Sequence, residues 1–365
     1  MGPSSFLRLS RLATLALAVA LTTLEADRGD LAGDYYLATD VPAALGSTTY
    51  TPNQILLRTG GAYSLETSLA AGFAAGALHR RPDGVWLVSP AHPISLGGTE
   101  FEPRDVFSWD GAIGFTMILD GSVAGIPAGS RIDALFLGTA GQIVLSFDVP
   151  TRLGGVEYSR SDLVAYAGGL FSLYWSATGA GVLPASNLVG AALDSAGVLV
   201  VTFDVPTSLS GSEYLPGELA GWTGASWYHY DTPSGWPAYA QLRDFAFVPA
   251  PGGVPDGGSL PGIPLTVTPA AAGDLTLSWG SACSAGASDY EIYEGTLGAY
   301  YSHVAEFCST GGLTTKTFTP TSGNRYYLVV SRNALREGSY GSASSGVPRP
   351  QGSGACLVRE PAACP

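Results

Sequence analysis

Lysine is all but missing from this chain: Lys316 is the only one. Basic residues number 17 against 30 acidic ones, a formal net charge of −13 at pH 7. Such a surface repels phosphate backbones, so nucleic acid is not an expected partner. Charged residues of both signs make up only 13% of the sequence, too few for a disordered chain or a coiled coil. Beyond the N-terminus no apolar run is long enough to span a bilayer, so no membrane span is expected in the mature chain. HExxH and GxSxG are absent, and no GKS or GKT follows a glycine cluster. Zinc-protease, α/β-hydrolase and P-loop chemistry therefore leave no signature here.

What the chain has instead is 49 Gly, 25 Pro and 46% hydrophobic residues. That mixture points to many short strands joined by tight turns. At 365 residues two or three domains are expected. Arg8 and Arg11 precede an apolar stretch, residues 12–24, that ends near the small residue Ala26. A basic start, a short apolar core and a small-residue exit read as a secretory signal peptide over residues 1–26, cleaved after Ala26, with Ala20 as the competing site. The mature chain would hold 365 − 26 = 339 residues and a charge of 15 − 29 = −14. The expected location is extracellular or periplasmic.

Internal repetition sets the fold expectation. Pro42, Pro93, Pro150 and Pro206 open four related segments. Three residues on stand Leu45, Leu96, Leu153 and Leu209, and eight on stand Tyr50, Phe101, Tyr158 and Tyr214. Sixteen on stand Arg58, Trp109, Tyr166 and Trp222, and eighteen on Gly60, Gly111, Gly168 and Gly224. Each copy reads as four strands; in the third they fall at about 143–149, 163–166, 171–176 and 190–193. The glycines sit where turns need a positive φ. A unit this small cannot bury its own sheet face, so its neighbours must supply the rest of the core. Four-strand repeats of this length match β-propeller blades. An all-β, four-bladed β-propeller-like array is therefore expected over residues 34–249, with residues 35–39 completing the last unit. An open stack of sheets is the alternative.

Residues 250–264, rich in Pro and Gly, read as a linker. Alternation resumes at 275–279, 290–293, 315–319 and 325–330. Here the chain resembles a fibronectin type III domain, over about residues 264–346. The resemblance rests on Trp279, on Tyr290 and Tyr293, on Tyr326 or Tyr327, and on Asn333 followed by a Gly-Ser-Tyr turn at Gly338. It implies a seven-stranded β-sandwich over residues 265–346, serving as spacer or contact module and bringing no catalytic residues. Cys283 and Cys308 depart from that family's pattern. The repeat array also resembles arrays in secreted bacterial proteins of unknown function.

All four cysteines, Cys283, Cys308, Cys356 and Cys364, lie in the last third of the chain. In an exported protein an even number reads as disulfides, with three connectivities open. The expected pairs are Cys283–Cys308 and Cys356–Cys364, each the nearest in sequence. No CxxC occurs, so no zinc site is expected. The tail, 347–365, is polar and proline-rich, and the expectation there is a stapled loop.

Acidic residues recur with the repeat. Asp40, Asp148 and Asp204 precede the landmark prolines; Glu100, Glu157 and Glu213 align, as do Asp105, Asp162 and Glu218. Rings of carboxylates could hold calcium, but Asp before Pro or after a turn more commonly caps local amides, and no DxDxDG loop occurs. Capping is the expectation, calcium its alternative, and no other cofactor is implied.

The fourth copy breaks the pattern with Trp227, Tyr228, His229, Tyr230 and Asp231, then Trp236 and Tyr239. Aromatic rings among polar atoms suit sugars, whose apolar faces stack while their hydroxyls hydrogen-bond. Trp227, Tyr228, Tyr230, Trp236 and Tyr239 are thus the candidate ligand-binding residues. No catalytic residue is singled out. The expected function is that of a secreted, monomeric, non-enzymatic module binding polysaccharide or another cell-surface ligand. The alternatives are a glycoside hydrolase working with carboxylates on the array's end face, and a structural spacer.

Overall fold

The computed structural model describes residues 34–361, except 112, 113, 234 and 285. The expected signal peptide and Cys364 lie outside the described residues. Among the described residues no helix is long and apolar enough to cross a membrane.

The repeat region forms four antiparallel four-stranded sheets, each written here from its inner to its outer strand. Sheet I orders Leu242–Phe247, Tyr35–Thr39, Gln54–Thr59 and Ala62–Ser68. Sheet II orders Ala75–Arg80, Trp86–Pro90, Val106–Trp109 and Phe115–Leu119. Sheet III orders Ile132–Leu137, Ile143–Phe147, Leu163–Ala167 and Leu170–Trp175. Sheet IV orders Leu188–Leu193, Leu199–Phe203, Leu219–Trp222 and Trp227–Asp231.

The phase differs from the sequence expectation by one strand. Leu188–Leu193, expected as the last strand of the third unit, opens sheet IV instead. The same shift leaves Leu242–Phe247 to join the start of the chain, pairing Tyr35 with Phe247 and Leu37 with Phe245.

The four-bladed β-propeller expected from the sequence is corrected: these are four separate open sheets, each hydrogen-bonded within itself, and none is closed or strongly curled. Each sheet ends at an outer strand that is paired on one side only, so every sheet keeps an open edge. Four-strand periodicity in the sequence reports the sheet size, not how the sheets are assembled.

Each landmark proline introduces a feature that periodicity alone did not reveal, a short hairpin. Ala43–Leu45 pairs with Thr48–Tyr50, Ile94–Leu96 with Thr99–Phe101, Thr151–Leu153 with Val156–Tyr158, and Thr207–Leu209 with Ser212–Tyr214. The aligned leucines and aromatics of the sequence repeat are the inward-facing residues of these hairpins, and all eight are buried. In the third copy Gly154 and Gly155 both take positive φ, 56° and 88°, the backbone a tight two-residue hairpin demands.

The inner strands of the four sheets are tied by one side chain. Asp244, fully buried, accepts backbone N–H groups from Leu78 at 2.9 Å, Leu135 at 3.1 Å and Ala191 at 3.2 Å, one from each of the other three sheets. Its neighbour Phe245 donates a fourth at 2.8 Å. Inner strands are sheet edges, with amides that no further strand satisfies; the carboxylate satisfies them. Burial holds this carboxyl well above the usual range, opposed by the four backbone donors. The residues aligned with Asp244 in the other inner strands are Ala77, Ala134 and Gly190, all small. At Gly190 a Cβ would lie 3.1 Å from Asp244 Oδ1 and 2.9 Å from Thr202 Cγ2, so the carboxylate occupies room that this glycine leaves.

The C-terminal region forms two sheets. One is three-stranded: Thr266–Pro269, Leu275–Ser278 and Thr315–Phe318. The other is five-stranded and curled, ordered Val304–Phe307, Asp289–Thr296, Arg325–Arg332, Arg336–Glu337 and Val358–Arg359. Trp279 and Tyr290 meet edge to face at 5.6 Å within the core between them. The resemblance implied seven strands; here an eighth, Val358–Arg359, comes from the tail and pairs in parallel with Arg336–Glu337. The tail is therefore not only a loop. Backbone pairing needs no apolar side chains, which is why a polar segment can add a strand.

The disulfide pairing also differs. Cys308 is bonded to Cys356, not to Cys283, and Cys283 is itself in a disulfide. Nearness in sequence misled here, because strand pairing and the docked tail bring together residues that are 48 apart. The stretch read as a linker is likewise packed down. Residues 250–255 are buried, and Gly252 O accepts the Ser331 hydroxyl and Ser339 N–H. Gly338 is required at this contact, since a Cβ there would lie 2.1 Å from Gly252 O.

Candidate functional site

The five aromatic residues singled out from the sequence do not form one cluster. The structure distributes them over three places.

Trp227 is core. It is buried against Trp175, Phe203 and Trp222, and its indole N–H donates to Ala180 O at 2.8 Å. Burying an indole this way satisfies its one donor and leaves no free face for a ligand.

Tyr228 and Tyr230 line a cleft of about 260 Å³ where the array meets the C-terminal region. Its other walls are the turn at Asp194–Val198, Arg336 and the tail strand with Arg359 and Glu360. Tyr228 lies across Gly221, where a Cβ would sit 2.4 Å from its ring. Arg336 bridges both regions, 2.6 Å from Asp34 and 2.9 Å from Glu360. This cleft is a junction held by charge pairs.

Trp236 packs against the same core as Tyr228 and Tyr230 but on its Tyr63 side, and Tyr239 is exposed; an open cleft of about 390 Å³ on the array lies beyond Tyr63. The hairpin residues Ser47, Thr48 and Tyr50 line it, together with Tyr63, Ala62 and Gly235. Trp236 packs on Tyr63 with ring centroids 6.3 Å apart, and its indole N–H donates to Ala240 O at 2.8 Å. The Tyr239 hydroxyl accepts the Ala44 N–H at 3.3 Å, while its ring is exposed. Two aromatic residues, Tyr50 and Tyr63, thus line the opening with the serine and threonine of a hairpin, and Trp236 backs Tyr63.

An ion pair next to Tyr63 explains two departures from the repeat. Arg58 replaces the aromatic residue that the other copies carry, and Asp231 ends the atypical strand of the fourth copy. They are partners: Arg58 Nη1 lies 2.5 Å from Asp231 Oδ2, and both side chains are largely buried. Tyr35 donates its hydroxyl to the same Asp231 oxygen at 2.8 Å. The guanidinium sits 5.5 Å from the Tyr35 ring centre and 5.8 Å from that of Tyr63. Burial, then the Asp231 charge, pushes the Tyr35 phenol well up. Tyr63 is therefore held between a cation and Trp236, a preset ring. Tyr63 itself carried no signal in the sequence; the substitution at Arg58 was the available clue.

The repeated carboxylates cap amides. Asp40, Asp148 and Asp204 accept the backbone N–H of Gln241, Arg131 and Asn187 respectively. Asp105 accepts from Glu102 and Gly121, Asp162 from Ser159 and Ala177, and Glu218 from Leu215. Glu100, Glu157 and Glu213 are exposed on the hairpins. Among the described residues no group of three or more His, Cys, Asp or Glu is placed to hold a metal ion.

The histidines are dispersed. Burial lowers His79 to about 4, which keeps it neutral. His229 stacks on Tyr214 at 4.2 Å and lies 3.8 Å from Glu218. His303 is buried between the Tyr326 hydroxyl and Pro350 O. A group that sequence reasoning missed is a buried carboxylate pair. The Tyr293 hydroxyl lies 2.8 Å from Glu291 Oε2 and 2.7 Å from Glu337 Oε2. One hydroxyl hydrogen cannot serve both oxygens, so one carboxyl keeps its proton. Burial, together with the bond to Glu337, pushes Glu291 up to about 8.

No family model matches the chain, and no curated protein matches it. Among solved structures it is similar to a protein of unknown function from Bacteroides caccae at 9% identity and a TM-score of 0.26, covering 67% of this chain and 82% of that one. The extracellular domain of the putative one component system BT4673 from B. thetaiotaomicron is 8% identical with a TM-score of 0.28, covering 87% and 54%. YCF48 bound to D1 peptide is 9% identical with a TM-score of 0.26; the chain spans 57% of its length. At such scores these likenesses carry no argument about what this chain does.

Proposed function

We propose that the chain is an exported, non-enzymatic binding module for a polysaccharide or another cell-surface saccharide, taken up beside Trp236. The observation that carries this reading is an open cleft lined by Tyr50, Tyr63 and the hydroxyl residues Ser47 and Thr48, with Trp236 packed on Tyr63 and the exposed Tyr239 ring tied to Ala44 close by. Rings of this kind stack on the apolar faces of sugars, and the Ser47 and Thr48 hydroxyls suit their polar edges. Export is supported by the signal-like N-terminus and by disulfide bonding, which belongs to oxidising compartments. In this reading the fibronectin type III-like C-terminal region is the contact or spacer module, docked to the array through Arg336. No carboxylate lines the aromatic cleft among the described residues, so the glycoside-hydrolase reading has no observation in its favour there.

The test is a glycan-array screen of the mature chain, with calcium and again with chelator, repeated on Trp236→Ala and Tyr63→Ala. Binding that survives chelation and is lost in both variants is expected. Binding that persists in both variants, or that needs the metal, would refute this placement of the site.

A further inference from the structure

The turn joining Asp289–Thr296 to Val304–Phe307 presents three large side chains to solvent: Leu297 is 54% exposed, Tyr300 69% and Tyr301 51%. Single exposed apolar residues need no explanation, but three within five positions form a patch. A second observation concerns the backbone. Tyr301 has φ +71°, the left-handed region where Gly or Asn is the usual occupant. Tyr301 is half in solvent, so the fold gains little from an aromatic residue here, and strain retained without a packing return points to function.

The turn is also well anchored. Leu297 N donates to Asn324 O at 3.0 Å, Ala299 N to Thr296 O at 3.0 Å and Ser302 N to Ala299 O at 3.2 Å. Thr296 N donates to the Ser302 hydroxyl at 3.0 Å. Tyr300 leans on Tyr326, with centroids 6.1 Å apart, and Tyr326 lies across Gly295, where a Cβ would meet its ring at 2.2 Å. Tyrosines held in this way give contact area at little cost in side-chain entropy.

We infer that Tyr300 and Tyr301 form a stacking platform for a neutral saccharide, separate from the cleft at Trp236. The surroundings select this occupant. Arg325 lies 3.4 Å from Glu294, so this cation is already paired and offers little to an anionic ligand. The remaining polar fringe consists of the Thr296 and Ser302 hydroxyls and backbone carbonyls, which match sugar hydroxyls. A bilayer would need basic residues beside the aromatics, and the chain carries a net −13 with a single lysine.

The experiment titrates the mature chain with soluble cello-, manno-, xylo- and chito-oligosaccharides, by saturation-transfer NMR and calorimetry, comparing wild type with Tyr300→Ala, Tyr301→Gly and Trp236→Ala. At least one oligosaccharide is expected to bind, and each turn variant to weaken that contact by about tenfold, the size of a stacking loss. Tyr301→Gly should at the same time keep or raise the Tm, because glycine relieves the backbone. An unchanged affinity in the turn variants, or no binding by any oligosaccharide, would overturn the inference. So would a fall in Tm for Tyr301→Gly, which would give the ring a structural role. Loss in Trp236→Ala alone would leave the cleft standing and remove this platform.

Discussion

Asp244 offers the sharpest test of how the array holds together. Replacing it with alanine removes the acceptor for amides on three other inner strands, at Leu78, Leu135 and Ala191. Each buried donor left without a partner costs about 1–3 kcal/mol. Part of that is returned because a buried carboxyl no longer has to be desolvated. The net loss expected for Asp244→Ala is about 3–5 kcal/mol. Asp244→Asn retains shape and one carbonyl oxygen but turns an amide NH₂ toward two N–H donors, so about 2–4 kcal/mol should be lost. Urea denaturation of the mature chain reads this as a fall in the midpoint. If the asparagine variant unfolded with wild-type midpoint and slope, or the alanine variant were more stable, Asp244 would not be what joins the four sheets.

Four further outcomes are expected. Stability should fall as pH rises from about 4.5 toward about 8. In that window the native state keeps the Glu291 proton and the unfolded chain does not, a slope of up to about 1.4 kcal/mol per pH unit. Glu291→Gln should flatten this slope in pH-dependent urea melts, and a flat wild-type profile would refute the shared proton. Replacing Cys308 and Cys356 together by serine should cost about 4 kcal/mol by loop entropy and expose the tail to limited proteolysis; a protease-resistant tail would show that strand pairing alone holds it. Trp227→Ala should cost about 3–5 kcal/mol without altering saccharide affinity at permissive temperature, whereas Trp236→Ala should do the reverse. Gly338→Ala should loosen residues 250–255, read as faster amide exchange there, because no Cβ fits against Gly252 O.

Much of the local structure was legible in the amino-acid sequence alone. The spacing from Pro42 to Gly60 and its three echoes announced repeated four-stranded units, and the aligned leucines and aromatics proved to be the buried faces of hairpins. These are effects of neighbours in the chain, and a repeated pattern reports them directly. The aspartates before the prolines also cap amides, but on strands 17 to 201 positions away, so their partners were not local as expected.

What the sequence could not decide depends on contacts between distant segments. The phase of the sheets, the open assembly in place of a propeller, and the pairing of Cys308 with Cys356 each depend on which surfaces meet after folding. The same is true of the candidate site. Trp227 and Trp236 look alike in the sequence, yet one indole is sealed between two sheets and the other is half-buried against Tyr63. Arg58 and Asp231 are 173 positions apart, and each looks like an isolated lapse from the repeat. Only the packing of sheet I against sheet IV makes them a pair, because an ion pair depends on distance in space and leaves no period in the chain.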